Sequence, residues 1–254
     1  MSLSVNQKLI FDKCVTVLDL ANAHLSDEFF YDSLPQCVID AVFSIGVNYT
    51  GTRRTVVDYC NNVGVTRIST VFGSPSDRHT IDQLLENIRR FDVEGDCGQN
   101  RLFHNGQMTS TRSGMLKSIA VRDFATVLKN HDIQTIADLR AANSSVMDSV
   151  ESDIKMIQGQ SSGISYSYFL MLAGDENHMK IDRWLLRFVG EALHNSKYAD
   201  VSTAYSDLLA VCDELKKTYP HLTPRLLDHT IWSYMKAVEQ EEKQRKRAAR
   251  KSRR

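Results

Sequence analysis

The chain is poor in the residues from which metal sites, disulfide frameworks and membrane spans are built. Its five cysteines (Cys14, Cys37, Cys60, Cys97 and Cys212) lie far apart and form no CxxC pair, so free thiols in a reducing cytoplasm are expected. The histidines, among them His178, His194, His221 and His229, are isolated. Neither HxxxH nor HExxH occurs, which leaves no basis for a zinc site. No apolar run approaches the roughly 18–20 residues that cross a bilayer, and the N-terminus lacks a basic, apolar and small-residue signal pattern. Proline (4) is scarce and glycine (12) modest, while apolar residues recur at helical spacing. A mainly helical protein is implied. The 254 residues suffice for one large domain or two packed lobes.

The formal charge of zero conceals an asymmetry. Residues 243 to 254, KQRKRAARKSRR, hold eight Lys or Arg and no acid, leaving 23 basic against 31 acidic residues in the body. A polyanion-binding body so acidic must cluster its cations on one face, or the tail must supply the attraction to phosphates. The competing reading is a solvated, disordered end.

Taken in order, residues 4 to 24 carry Leu9, Ile10, Cys14, Val17 and Leu20 at helical recurrence. Pro35 suits an early helix position, and the apolar helix behind it ends at Asn48, Tyr49 and Thr50. Arg53 and Arg54 open the next helix, 52 to 62, against its macrodipole. Ser76 or Asp77 is expected to cap the helix through Ile81, Leu84 and Ile88. Residues 92 to 112 lack periodicity and read as an extended loop. Helices follow over 114 to 130, through Ile136 and Leu139, and from Ser144 or Ser145. Further ones run from Asp182 to about Leu193, from Ser202 to Thr218, and from Pro224 into the tail.

Residues 153 to 190, DIKMIQGQSSGISYSYFLMLAGDENHMKIDRWLLRFVG, read as helix, tight polar turn, helix, linker and helix. The turn is Gly159-Gln160-Ser161-Ser162-Gly163. Two glycines bracketing polar residues suit a reversal with exposed N–H groups, which attract anions at a helix start. Eight residues after Gly174 comes Asp182, within Ile181-Asp182-Arg183-Trp184.

This order resembles the helix-hairpin-helix DNA glycosylase superfamily, whose signature runs Leu-Pro-Gly-apolar-Gly-x-Lys-Thr-Ala, then an apolar helix, a Gly-containing linker and apolar-Asp-Thr-x-apolar-x-Arg. Ile157 to Ser165 takes the place of the hairpin, Gly174 that of the linker glycine, and Ile181-Asp182 that of the apolar-Asp pair. Arg187 lies near the downstream arginine. The chain departs at Gln158 (for proline), Ser161 (for the second glycine) and Gly163 (for the attacking lysine).

The resemblance implies an all-α, two-lobed glycosylase-like fold with a cleft between lobes. Residues 33–174 would form the lobe that ends in the hairpin, 1–32 plus 175–242 the second lobe, and 243–254 a disordered basic tail. Asp182 is then the catalytic carboxylate, because breaking a nucleoside C1′–N bond leaves positive charge on the sugar. Its alternative role is a helix cap. Gly163 removes the amine that lyase chemistry needs, so a monofunctional, water-using glycosylase or a lesion reader without chemistry is expected. Gly159, Ser161 and Gly163 are the candidate phosphate contacts, with a monovalent cation at the hairpin as an option. Asn48, Tyr49, Tyr166, Tyr168 and Trp184 are candidates for the base pocket or the duplex contact, with core packing as the alternative for the aromatics. No iron–sulfur cluster is implied, since only Cys212 follows Asp182. The expected partner is DNA, bound by a cytoplasmic, nucleoid-associated monomer.

Overall fold

The computed structural model describes residues 3–47, 49–70 and 74–251. Among them the chain is all-α, with eleven α-helices and no strand. In order these are α1 (Val5–Val17), α2 (Leu34–Phe43), α3 (Tyr49–Val63), α4 (Ile81–Phe91), α5 (Lys117–Asn130) and α6 (Ile136–Ala141). They continue with α7 (Ser144–Met156), α8 (Ile164–Leu172), α9 (Arg183–Ala192), α10 (Val201–Leu215) and α11 (Pro224–Lys251). The helices fall into two compact units, Ser26–Asp175 and Met1–Leu25 with Glu176–Arg254.

Within the first unit, α2 is the hub. Every residue from Leu34 to Phe43 is buried, and α3, α5 and α8 pack around it. Pro35 sits in the first turn, where a missing N–H costs nothing. Beyond its far end, Lys117 is buried and donates Nζ to Phe43 O (2.9 Å) and Ile45 O (2.7 Å). A buried ammonium thus satisfies carbonyls that the ending helix leaves without partners. The core around this hub includes Val38, Val42, Phe43, Tyr59, Phe103, Phe124 and Phe169.

The second unit has a separate core. Ile10 and Cys14 of α1, Leu185 and Phe188 of α9, Leu208 and Val211 of α10, and Leu227 and Ile231 of α11 meet there. Ser4 starts α1 with a capping box, its side chain and that of Gln7 each accepting from the other's backbone. All five cysteines are buried, and none is in a disulfide.

Local expectations were displaced at several helix starts. Thr80, not Ser76 or Asp77, caps α4, with Gln83 completing the box. Ser76 instead donates to Asp32, and Asp77 accepts the first amides of α6, from Ile136 and Ala137 at 2.9 Å each. Asn143 caps α7 and Asp200 caps α10, each one or two residues before the hydroxyls that the sequence offered. The tail differs as well: residues 243 to 251 continue α11 where their composition predicts a disordered end. Lys243 pairs with Glu239 (2.7 Å) and Arg245 with Glu241 (3.5 Å), both one helical turn apart. Such pairs stabilise an exposed helix by roughly 0.3–0.5 kcal/mol each.

Candidate nucleic-acid interface and active-site carboxylate

The hairpin belongs wholly to the first unit. α7 ends at Met156, Ile157 turns extended, and Gly159 (φ 88°) and Gly163 (φ 72°) take left-handed conformations. The backbone closes through Gln160 N–H to Ile157 O (2.9 Å) and Gly163 N–H to Gln160 O (3.0 Å). Gly159 is required for a second reason, since a Cβ there would stand 2.4 Å from Thr109 Cβ. Gln158 donates its side-chain amide to Ser113 O, so the loop before α5 is fastened against the turn. Gly174 is also left-handed (φ 97°), with Arg140 lying over it and donating to Ala173 O.

Ser161 and Ser162 are exposed, and among the described residues their amide N–H groups have no acceptor within the chain. The turn thus presents free donors at the start of α8, as a phosphate contact requires. Gln160 Oε1 and Ser165 Oγ are buried without a partner among the described residues. An unpaired amide oxygen fits the oxygen chemistry of a monovalent cation. Among the described residues no group of three or more His, Cys, Asp or Glu side chains could hold a metal ion. The space a side chain at Gly163 would fill is taken by Lys155, whose Cε lies 2.9 Å from the position of such a Cβ and whose Nζ pairs with Glu151 at 2.5 Å.

Asp182 belongs to the second unit. It is the N-cap of α9: its Oδ1 accepts Trp184 N–H at 2.7 Å, and its own N–H donates to Lys180 O at 2.7 Å. The residue is half-buried, so its carboxylate is oriented without being sealed in the core. Arg187 binds Glu191 (2.8 Å) and Glu242 (2.6 Å). Acidic neighbours from α9 and α11 therefore hold the arginine that the sequence offered downstream of Asp182.

Beside Asp182 lies a group that the motif did not reveal. Asp228 of α11 is buried and accepts the backbone N–H of Lys180 at 2.7 Å. Burial, and then the negative charge of Asp182, raise its pKa well above the usual carboxylate range, outweighing Lys180 and Arg225. Three residues earlier Arg225, also buried, pairs with Glu176 at 2.8 Å, and Thr223 Oγ1 bonds the other Glu176 oxygen at 2.7 Å. His229 is depressed to about 4, chiefly by burial and then by the nearby charge of Arg225.

The aromatic candidates separate clearly. Tyr166 (4% exposed) and Trp184 (7%) are packed in the cores of their respective units. Tyr166 donates its hydroxyl to Met147 O, and the Arg183 guanidinium covers the Trp184 ring at 4.8 Å. Tyr168 is half-buried against the first core. Tyr49 begins α3, stacked on Phe29 at 5.7 Å. Asn48 lies outside the described residues. Near Tyr49 is Asp40, fully buried in α2, with Tyr31 donating to Oδ2 at 2.7 Å, and Tyr168 lies near that Tyr31. Sequence signals for the missed acids existed. Asp40 interrupts the apolar run 37 to 43, and Asp228 falls on the same helical stripe as Leu227, Ile231 and Met235.

Residues 8–236 match the model of a family described as Domain of unknown function (DUF8548), and the chain belongs to that family. No curated protein matches it, and no solved structure does.

Proposed function

We propose that this chain is a monofunctional DNA glycosylase with a two-lobed helix-hairpin-helix architecture, hydrolysing the N-glycosidic bond of a damaged or modified base flipped out of DNA. The observation that carries the reading is Asp182, a half-buried carboxylate fixed through one oxygen at the start of α9. The free amides of Ser161 and Ser162 support it as contacts for the phosphate backbone.

In this mechanism the C1′–N bond breaks with its electron pair departing on the base nitrogen. Asp182 stabilises the positive charge left on the sugar. The oxygen of a water molecule bonds to C1′ while Asp182 orients it, and the proton released passes to the departing base or to solvent. The products are a free base and an abasic deoxyribose. Strand cleavage is not expected in this reading, because Gly163 stands at the position of the family's attacking lysine and Lys155, packed beside it, is paired with Glu151.

The competing reading is a non-catalytic DNA-binding or lesion-recognition module on the same scaffold. The capping bond to Trp184 favours it, since that bond gives Asp182 a structural purpose of its own. Asp182→Asn separates the two: excision should be lost while DNA affinity stays within about threefold, because the amide oxygen still caps α9. A reader protein would release no base before or after the change. Removal of 243–254 should flatten the salt dependence of DNA binding if the tail touches phosphates. An unchanged slope would remove the tail from the interface.

A further inference from the structure

On α11 the charged residues sort by face. A helix advances about 100° per residue, so Lys236, Lys243 and Arg247, spaced seven and four residues apart, share one side. Glu239, Gln240 and Lys246 fall within the same arc of about 120°. This side turns away from Leu227, Ile231 and Met235, which enter the second core. Gln240, Lys243, Lys246 and Arg247 are exposed, and Lys236 is half-buried. The other acids of this stretch lie off the face and are matched, Glu242 by Arg187 of α9 (2.6 Å) and Glu241 by Arg245 (3.5 Å). Among the described residues Lys246 and Arg247 have no acidic partner.

The face continues onto α9, which packs against α11 within the second unit. Arg183, exposed at the start of α9 and next in the chain to Asp182, has its guanidinium 4.8 Å over the Trp184 ring. Lys236 Nζ stands 5.5 Å from the centre of the Trp232 ring. An aromatic ring under each cation restrains its side chain while the charge stays at the surface. Glu239 joins the two helices. It pairs with Lys243 at 2.7 Å, and that bond, with the charges of Lys243, Arg183 and Lys236, holds its carboxyl below the usual carboxylate range. Three cations thus face one acid, in a body where acids outnumber bases.

We propose that Arg183, Lys236, Lys243, Lys246 and Arg247 form the surface on which a DNA strand lays its phosphates as a nucleotide enters the Asp182 site. From Lys236 to Arg247 the face runs about 16 Å, the axial length of about five nucleotides of one strand. The choice of DNA rests on the reading of Asp182 given above, and the sorting of charge by face does not. An anionic membrane would require large apolar side chains on the same face. The exposed ones among the described residues, Val5, Leu9, Val15, Met108, Met156 and Val201, all lie off α11.

The test is fluorescence anisotropy of the full chain with a labelled duplex of unmodified bases, titrated across salt concentration, so that no excision is needed. Lys236→Gln combined with Arg247→Gln should lower the slope of log Kd against log salt by about 2. Arg245→Gln, on the opposite side of the helix, should leave the slope unchanged. Glu239→Gln removes the one acid from the face and should tighten binding about threefold. Glutamine matches lysine, arginine and glutamate in helix propensity, and circular dichroism checks that the helix persists. A slope loss per residue as large for Arg245→Gln as for the face variants, or no gain from Glu239→Gln, overturns the proposal. So does binding to phosphatidylserine vesicles without binding to the duplex. If the face governs duplex binding and no DNA yields free base, the surface stands and the glycosylase reading falls. If base is released and the face variants bind as the parent does, the glycosylase reading stands and the surface falls.

Discussion

The hairpin of the first unit and the Asp182 cap of the second are held by different physics. The hairpin is a backbone device: left-handed Gly159 and Gly163 fold it, a tight approach of Thr109 locks it, and its working groups are amides. The cap is a charge device: Asp182 is set by Lys180, which Asp228 holds, near the ion pair of the buried Arg225 with Glu176. The hairpin draws on residues 155 to 163 with one loop laid against it. The cap draws on α11, more than 40 residues downstream. A backbone device tolerates changes of pH and fails on a change of side-chain volume, whereas a charge device does the reverse.

The largest effect that would test this contrast is at Gly159. Gly159→Ala forces a Cβ into Thr109 at a positive φ, and a loss of roughly 3 kcal/mol of stability is expected from strain and overlap together. Urea unfolding at pH 5 and pH 8 should give the same loss. Partial recovery is expected on combining it with Thr109→Gly. A loss below about 0.5 kcal/mol would show that the turn is not locked in this way.

The cap should answer to pH instead. Burial raises the folded pKa of Asp228 above its ordinary value of 3.8, so its neutral carboxyl contributes stability in full below about pH 4. That contribution is lost as pH rises toward the folded value. Asp228→Asn escapes the loss, and its melting temperature should gain on the unmodified protein as pH increases from 4 to 8. His229 has the opposite sign. Its depressed pKa gives stability that is present above about pH 6.5 and lost as pH falls toward about 4. His229→Gln should therefore flatten the acid side of the stability curve. Parallel curves for variant and parent would contradict either assignment.

The smallest effect concerns the capping bond. Asp182→Ala should cost about 1 kcal/mol and Asp182→Asn only a few tenths, measured by urea unfolding. Equal costs would mean that the bond to Trp184 contributes little.

The same contrast explains what could be read in the sequence. Apolar spacing at Ile81, Leu84 and Ile88 marked α4 because a helix face is a local pattern. Its cap was misassigned because Ser76 and Asp77 are equally good capping types, and tertiary partners, Asp32 and the start of α6, had claimed them. The glycines of the hairpin were legible, since a left-handed turn needs glycine whatever surrounds it. The clamp on Lys180 was not, because nothing local in the linker announces an acceptor arriving from α11. The helical tail was missed for a related reason: the Glu239–Lys243 and Glu241–Arg245 pairs join the acidic run to the basic one across the boundary drawn between them.

The most direct test of the central claim is mass spectrometry of free bases released from alkylated, deaminated and virus-modified genomic DNA, with alkali treatment to reveal abasic sites. The account predicts a released base from at least one DNA, abasic sites cut only after alkali, and loss of both signals in Asp182→Asn. Tight DNA binding with no base released from any of them would contradict it, leaving Asp182 as a helix cap in a DNA-reading protein.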